Sequence, residues 1–164
     1  MNLSLFERVS LANQFRIRAK LEADDHLVQF AEILERGYVT LYGRVFEWIY
    51  DETPDAIGKE VQDIFDMYRA LDRAYEAGAK PPADAFHPRF DGFDGNNDRH
   101  FGIAGFLIDD LGLWAELKGR PRNSHSMTTL GTYREMLKVW NDLDRPFPLT
   151  QDHVNKIAIG PKKS

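Results

Sequence analysis

The chain has 164 residues, the length of one ordinary domain, and it contains no cysteine. Disulfides, thiol nucleophiles and cysteine-ligated metal clusters are therefore excluded. Apolar residues make up 43% of the chain and charged residues 29%, which excludes an intrinsically disordered protein, and the formal net charge of −5 disfavours nucleic-acid binding. No apolar stretch approaches the 18 or so residues of a membrane span, and the first residues lack the pattern of a signal peptide. We expect a cytoplasmic protein with neither membrane nor nucleic acid as a partner.

The N-terminal third predicts two amphipathic helices. Ser4 and Glu7 have the spacing of a capping box, which indicates a helix start. A second helix is predicted to begin at Asp24 or Asp25 and to end at Gly37, because glycine readily adopts the left-handed conformation that ends helices. Steps of three and four predict the buried face of the first helix: Leu5, Val9, Ala12, Phe15 and Ala19.

The segment from Tyr38 to Tyr50 fits either a helix or a strand. Its β-favouring residues are dense, but Arg44 and Glu47 fall together opposite the apolar positions, which favours a helix. Downstream, Thr53 is a predicted N-cap, with Pro54 at the first helical position. The long helix that follows is predicted to be the central packing helix and to end at Gly78. Its apolar stripe comprises Ile57, Val61, Ile64, Tyr68, Leu71 and Tyr75.

The second half predicts three further helices separated by polar or proline-containing segments. Asn97 or Asp98 is predicted to cap the first, in which Gly102 and Gly105 indicate close approach of another backbone. This helix would carry Phe101, Ala104, Ile108 and Leu111. The next runs from about Thr129 to Asn141, and the last lies between Thr150 and Gly160-Pro161, with a frayed tail beyond it. The whole chain, residues 1–164, is thus predicted to be an all-α, multihelical single domain of six or seven amphipathic helices, an arrangement that two small helical sub-bundles could compose.

Two polar loops carry the only candidate site that we predict. One runs from Asp91 to Asn97, and the other contains Asn123 to His125. If the two loops converge on one concave pocket, they could bind or hydrolyse a small molecule. The simpler interpretation is that these residues form turns and helix caps. The candidate residues are Asp91, Asp94, Asn96, Asn97, Asn123 and His125, and none of them is predicted to be catalytic.

The sequence predicts neither a metal nor another cofactor. A calcium loop starting at Asp94 would need glycine at its sixth position and glutamate at its twelfth, where Arg99 and Gly105 stand. The five histidines lack the i, i+4 spacing of a helical metal site, although His87, His100 and His125 lie near the two loops.

Two groups of charged residues are predicted to have structural rather than functional roles. Three carboxylates on the central helix, at Glu60, Asp63 and Asp66, are predicted to form a solvated face or to pair with Arg69 and Arg73. The basic run with Arg120 and Arg122 is predicted to be a solvated loop rather than a DNA contact.

Several segments together resemble the YfbU family of small bacterial proteins over nearly the whole chain. They include Leu11–Phe15, Leu34–Tyr38, Glu60–Leu71, Phe90–Asp94, and Tyr133–Leu137 with Trp140. The resemblance implies an all-helical fold and a homo-oligomer, and it implies no activity. Some relatives carry a preceding ribbon-helix-helix segment, but this sequence starts at the family domain, so DNA binding is not implied.

Two functional hypotheses follow. The first is a homo-oligomeric helical module for protein interaction or regulation, without catalytic activity and with protein partners bound on its apolar helix faces. The alternative is a small-molecule-binding or hydrolytic protein whose site lies at the Asp91–Asn97 and Asn123–His125 loops.

Overall fold

The computed structural model describes residues 2–125 and 127–159 and divides into two compact units, with the boundary between Glu52 and Thr53. The described residues form seven α-helices with short 3₁₀ and π turns, and they contain no β-strand beyond one isolated bridge. This confirms the predicted all-α class. Among these residues, no helix has both the length and the hydrophobicity that crossing a bilayer requires.

The N-terminal unit is built on a helical hairpin of α1 (Leu5–Glu22) and α2 (Asp25–Arg36). The capping box is confirmed, since the Glu7 N–H donates to Ser4 Oγ at 3.2 Å and the Ser4 N–H donates to Glu7 Oε2 at 2.7 Å. Asp24 caps α2 by accepting the His26 N–H at 2.9 Å, and Gly37 ends α2 in the left-handed region. Local capping chemistry therefore sets three of the four ends of this hairpin.

The predicted buried face of α1 is partly wrong. Ala12, Phe15 and Ala19 are buried against the hairpin core, but Leu5 is 72% exposed and Val9 is 59% exposed. Leu5 and Val9 belong to a row of residues at four-residue steps that winds around α1, and the hairpin leaves this row exposed.

The segment after α2 is helical only in part. It forms a 3₁₀ turn, Val39–Leu41, and the single-turn helix α3 (Tyr42–Val45), and the helix predicted to continue to Tyr50 does not form. Tyr42 and Val45 are buried in the core, and Phe46 packs against it, so packing stabilises one turn, and a longer isolated helix would lack tertiary support.

The C-terminal unit is organised around the 22-residue α4 (Asp55–Glu76). The helix begins one residue later than predicted, because Pro54 rather than Thr53 occupies the N-cap position, and Ala77 precedes Gly78 at its other end. Its fully buried residues form the main core and confirm the predicted central role. They include Val61, Ile64, Phe65, Met67, Tyr68 and Leu71.

Three further helices pack in this unit: α5 (His100–Gly105), α6 (Thr129–Asp142) and α7 (Gln151–Ile159). A π turn, Phe106–Asp110, continues α5, and a 3₁₀ turn, Ala115–Leu117, follows it. The wider π turn keeps Ile108 buried and leaves Leu111 half exposed, against the prediction for Leu111.

The ends of these helices differ in how well local sequence predicts them. Arg99, not Asn97 or Asp98, occupies the N-cap position of α5. The His153 N–H donates to Thr150 Oγ1 at 3.3 Å, which confirms the start of α7, while the predicted stop at 160–161 and the tail after it lie outside the described residues.

The explanation predicted for the two glycines of α5 is also wrong. A Cβ built on Gly102 or Gly105 would meet no atom of the described residues within 4 Å, so no close backbone contact among them requires glycine at these two positions.

Candidate functional site

The two polar loops lie side by side in the C-terminal unit. The Phe93 N–H donates to the Arg122 carbonyl at 2.9 Å, and the Ser124 N–H donates to the Phe93 carbonyl at 2.9 Å, which forms a parallel bridge between Phe93 and Asn123. Gly92 makes this approach possible, because a Cβ there would stand 2.4 Å from the Arg122 carbonyl carbon and oxygen. Its φ of +88° also favours glycine. The loops therefore converge, as the hypothesis of a small-molecule site requires.

Asp94 organises the first loop through its own carboxylate. Its Oδ1 accepts the Asn96 N–H at 2.9 Å, and its Oδ2 accepts the Asn97 side-chain amide at 2.6 Å. The residue is buried although it is charged. This arrangement is an Asx turn stabilised by a further side chain, and it gives Asp94 a structural role in the loop.

Asn123 organises the second loop through its side-chain amide. Its Oδ1 accepts the Gly95 N–H at 3.1 Å and the His125 N–H at 2.9 Å, so one side-chain oxygen joins the two loops. His125 itself is exposed. The side chains of Asp94 and Asn123 thus form hydrogen bonds that hold the loops together.

Asp91 lies at the buried side of the first loop. Its carboxylate is 2.8 Å from His87 Nδ1, and its N–H donates to the Tyr133 hydroxyl at 2.9 Å. The Tyr133 hydroxyl in turn donates to the Gly92 carbonyl at 3.1 Å. Burial raises the pKa of Tyr133, so the phenol keeps the proton that it donates.

Phe93 anchors the paired loops in an aromatic cluster. Its fully buried ring lies 5.4 Å from Phe90, 5.8 Å from Tyr133 and 5.4 Å from the His100 ring, measured between centroids. The Phe90 and Tyr133 rings meet Phe93 edge to face, an arrangement that ring quadrupoles favour, so Phe93 anchors the paired loops to the core.

A cleft of about 290 Å³ opens beside the first loop. Asp94 and Asn97 of the predicted set line it, whereas Asp91, Asn96, Asn123 and His125 do not. Sequence reasoning missed its other lining residues, because they belong to the start of α5 and the first turns of α6, which only the fold brings next to the loop. They are Asp98, Thr128, Leu130, Gly131 and Arg134.

Arg134 joins the cleft to a network on the central helix. Its guanidinium holds both Glu60 oxygens, at 2.7 and 2.8 Å, and Glu60 Oε2 lies 2.6 Å from His100 Nε2. The Arg134 hydrogen bonds, with a smaller effect from His100, lower the pKa of Glu60. The pairing therefore stabilises the fold at neutral pH, and this contribution is lost as the pH falls through the lowered pKa.

The other two carboxylates of α4 are also engaged. Asp63 pairs with Arg145 at 2.7 Å, and Asp66 accepts the Trp114 indole N–H at 2.8 Å. The predicted pairing of Asp66 with Arg69 is present at 3.4 Å. Arg73, however, pairs with Glu76 rather than with any of the three carboxylates, because that residue stands one turn further along the same face.

The basic run of the second loop serves the fold. Arg120 pairs with the buried Asp72 at 2.8 Å, and Arg122 pairs with Asp109. Both guanidinium groups are largely covered, so the prediction of a solvated loop is wrong for these two side chains, whereas Lys118, Gly119 and Pro121 are exposed. Because both arginines pair with carboxylates of the same unit, their charges are already neutralised, and this disfavours a contact with DNA phosphates at this loop. Within the described ranges, no three histidine, aspartate or glutamate side chains gather as metal ligands.

These features define an all-helical protein whose C-terminal unit is built around one central helix and two paired polar loops. The family model of the YfbU domain matches residues 1–159, and the chain belongs to the YfbU family. It is also similar to the UPF0304 protein MJECS11 of Methanocaldococcus jannaschii, with 34% identity over 149 residues that cover 84% of this chain and 87% of the relative. The family resemblance drawn from the sequence is confirmed, and this relative comes from an archaeon.

Proposed function

We propose that the protein is a homo-oligomeric helical interaction module without catalytic activity, in which two copies associate through their α1 helices. The observation that carries the proposal is a row of exposed side chains, all but one of them apolar, that follows α1 at four-residue steps outside the residues packed on the hairpin core. We call it the α1 stripe, and its members are Leu5, Val9, Asn13, Ile17 and Leu21.

The α1 stripe exposes more apolar surface than is typical of a solvated helix face. Its apolar members follow one another at four-residue steps, and Leu21 is 81% exposed. The neighbouring Phe6 adds an aromatic ring that is 82% exposed. Contiguous exposed apolar residues typically mark an interaction site, so the stripe favours a partner.

The pattern of the stripe favours a second copy of the chain. Read in either direction from Asn13, it has a β-branched residue and then a leucine. When two such helices cross antiparallel about a two-fold axis at Asn13, Val9 lies opposite the second copy's Ile17 near the crossing, and Leu5 and Leu21 flank this contact. The two central amides can hydrogen-bond to each other, so the sequence is complementary to itself in this register.

The size of the N-terminal unit gives a second reason. Its described core has eight buried side chains, and three of them are the small alanines Ala12, Ala19 and Ala31. A unit of about fifty residues buries little surface by itself, and such units commonly gain stability by association. Pairing centred on Asn13 would bury Val9 and Ile17 of both copies at once.

The experiment is sedimentation equilibrium of the wild type and of the Val9→Glu/Ile17→Glu variant. We expect a wild-type dimer and a dissociation constant at least ~100-fold higher for the variant, because each interface residue is replaced by a charge that dimerisation would desolvate.

The matched control is Val39→Glu/Ile49→Glu, which makes the same two replacements at positions of similar exposure, 57% and 66%, outside the stripe. We expect it to dimerise like the wild type. A monomeric wild type, or equal dissociation of the two variants, would refute the proposal.

The convergence of the two loops favours a second candidate function, the binding of a small polyhydroxylated molecule in the cleft beside them. The Asp98 carboxylate can accept hydrogen bonds from hydroxyl groups, and the Thr128 hydroxyl and the Arg134 guanidinium can donate them, so the cleft offers both donors and acceptors to a polyol. The engagement of Asp94 and Asn97 within the loop places this candidate second.

A cleft-filling variant tests this second candidate. Gly131 lies in the first turn of α6 and lines the cleft, and no atom of the described residues lies within 4 Å of a Cβ built on it, so a side chain can start there without a clash and Gly131→Leu is chosen to fill the cleft. We expect saturation-transfer NMR signals from glucose, ribose and glycerol with the wild type and with the control Gly102→Leu, and their loss with Gly131→Leu. No signal, or a signal that Gly131→Leu leaves unchanged, would exclude the cleft as a site.

A further inference from the structure

We infer that the N-terminal unit has a second recognition site, a pocket for a free amino acid with a large apolar side chain. This goes beyond the proposed self-association, because the pocket lies against α2 and the segment after it, and none of the residues of the α1 stripe lines it.

The pocket has the size and floor of a small-molecule site. Its volume is about 650 Å³, and Leu27, Ile33 and Leu41 contribute apolar surface. Phe30 and Trp48 form an aromatic wall, with ring centroids 5.3 Å apart and planes inclined by 57°. Pockets of this volume with aromatic lining bind molecules whose main body is apolar.

Two oppositely charged and exposed side chains line the pocket and face solvent. Arg44 lies on α3 and Glu47 follows three residues later, and neither side chain forms an ion pair or hydrogen bond with another residue of the described ranges. The other charged rim residues are already engaged. Arg18 makes a two-point contact with Glu22, at 2.8 and 3.1 Å, and Asp24 caps α2.

These charges select the chemical class of the ligand. A free carboxylate could pair with Arg44 but would leave Glu47 without a counterion, and a simple amine would do the reverse. A zwitterion can pair with both side chains, with its carboxylate at the Arg44 guanidinium and its ammonium between the Glu47 carboxylate and the face of Trp48. The apolar floor then accommodates the side chain, so the ligand is an amino acid such as phenylalanine or leucine.

The test follows the indole ¹H–¹⁵N signal of Trp48, identified by its loss in Trp48→Phe, during titrations with three probes. L-Phenylalanine carries both charges, 3-phenylpropanoate lacks the ammonium group, and phenethylamine lacks the carboxylate. We expect a saturable shift with L-phenylalanine and roughly tenfold weaker binding of each of the other two, since each loses one charged hydrogen bond.

Two variants cross-check the assignment of the charges. Arg44→Gln should weaken L-phenylalanine roughly tenfold and leave phenethylamine unchanged, and Glu47→Gln should spare 3-phenylpropanoate instead. Arg36→Gln, an exposed arginine of α2 outside the pocket, should change nothing. The Val9→Glu/Ile17→Glu variant should bind like the wild type, which separates this site from self-association. The absence of a saturable shift, equal binding of the three probes, or an equal effect of Arg44→Gln on all of them would overturn the inference.

Discussion

Replacing Gly92 by alanine should destabilise the C-terminal unit by about 3 kcal/mol. The left-handed backbone at φ +88° costs an L-residue roughly 1–2 kcal/mol, and the new Cβ would stand 2.4 Å from the Arg122 carbonyl. The loops must then separate, which weakens the two Phe93 backbone hydrogen bonds at about 1 kcal/mol each. Urea denaturation followed by far-ultraviolet circular dichroism measures the difference in the free energy of unfolding.

Gly119 provides the matched control for this prediction. It has the same φ of +88°, but a Cβ built on it meets no atom within 4 Å. Gly119→Ala should therefore cost only the conformational part, roughly 1–2 kcal/mol. Equal losses for the two variants would show that the close pairing of the loops contributes nothing to stability.

The second large effect is expected for Phe93→Ala, which should cost roughly 3–5 kcal/mol of the free energy of unfolding. The ring is fully buried and contacts Phe65, Phe90, Tyr133 and His100, so its removal leaves a cavity that its neighbours cannot easily fill. Thermal and urea unfolding of the same samples measure the loss.

Phe86→Ala is the control, because the same substitution is made at a ring that is 83% exposed. We expect a change within about 0.5 kcal/mol there. A loss at Phe93 no larger than the loss at Phe86 would mean that the aromatic cluster does not hold the paired loops in the core.

Local chemistry explains why much of the fold could be predicted. The start of α1 and both ends of α2 follow from neighbouring residues in the sequence. Their signals are the Ser4–Glu7 capping box, the Asp24 cap and the left-handed Gly37, and each involves partners within a few residues. The length and the apolar stripe of α4 likewise predict a central helix. Such signals are strong because each one depends on a single turn of backbone.

The error on α1 arose where periodicity alone could not decide. Steps of three and four place Leu5 and Val9 beside Ala12 on the helix, but they do not show how far along and around α1 the contact with α2 extends. Ala12, Phe15 and Ala19 turn towards the core, and Leu5 and Val9 turn away from it. The apolar residues that α2 leaves exposed are the ones that we propose pair with a second copy.

The candidate site was predictable only as two separate loops. Their contact depends on Gly92 and Asn123, which are 31 residues apart, and no local pattern indicates that their backbones meet. His100 and Glu60 were missed as partners for the same reason, being 40 residues apart. Sequence reasoning identified Asp94 and Asn123 as polar loop residues, but their role in fixing the loops to each other emerged from the fold.

The most direct test of the account concerns the antiparallel pairing of two α1 helices, and it uses the position of introduced charges. In that pairing Val9 faces Ile17 of the second copy, so Val9→Lys/Ile17→Glu creates two opposite-charge pairs, whereas Val9→Glu/Ile17→Glu creates two like-charge pairs. Sedimentation equilibrium should show a dimer for the first variant that weakens as salt is added, and a monomer for the second. Monomers in both cases, or dimers in both, would contradict this arrangement of the two copies.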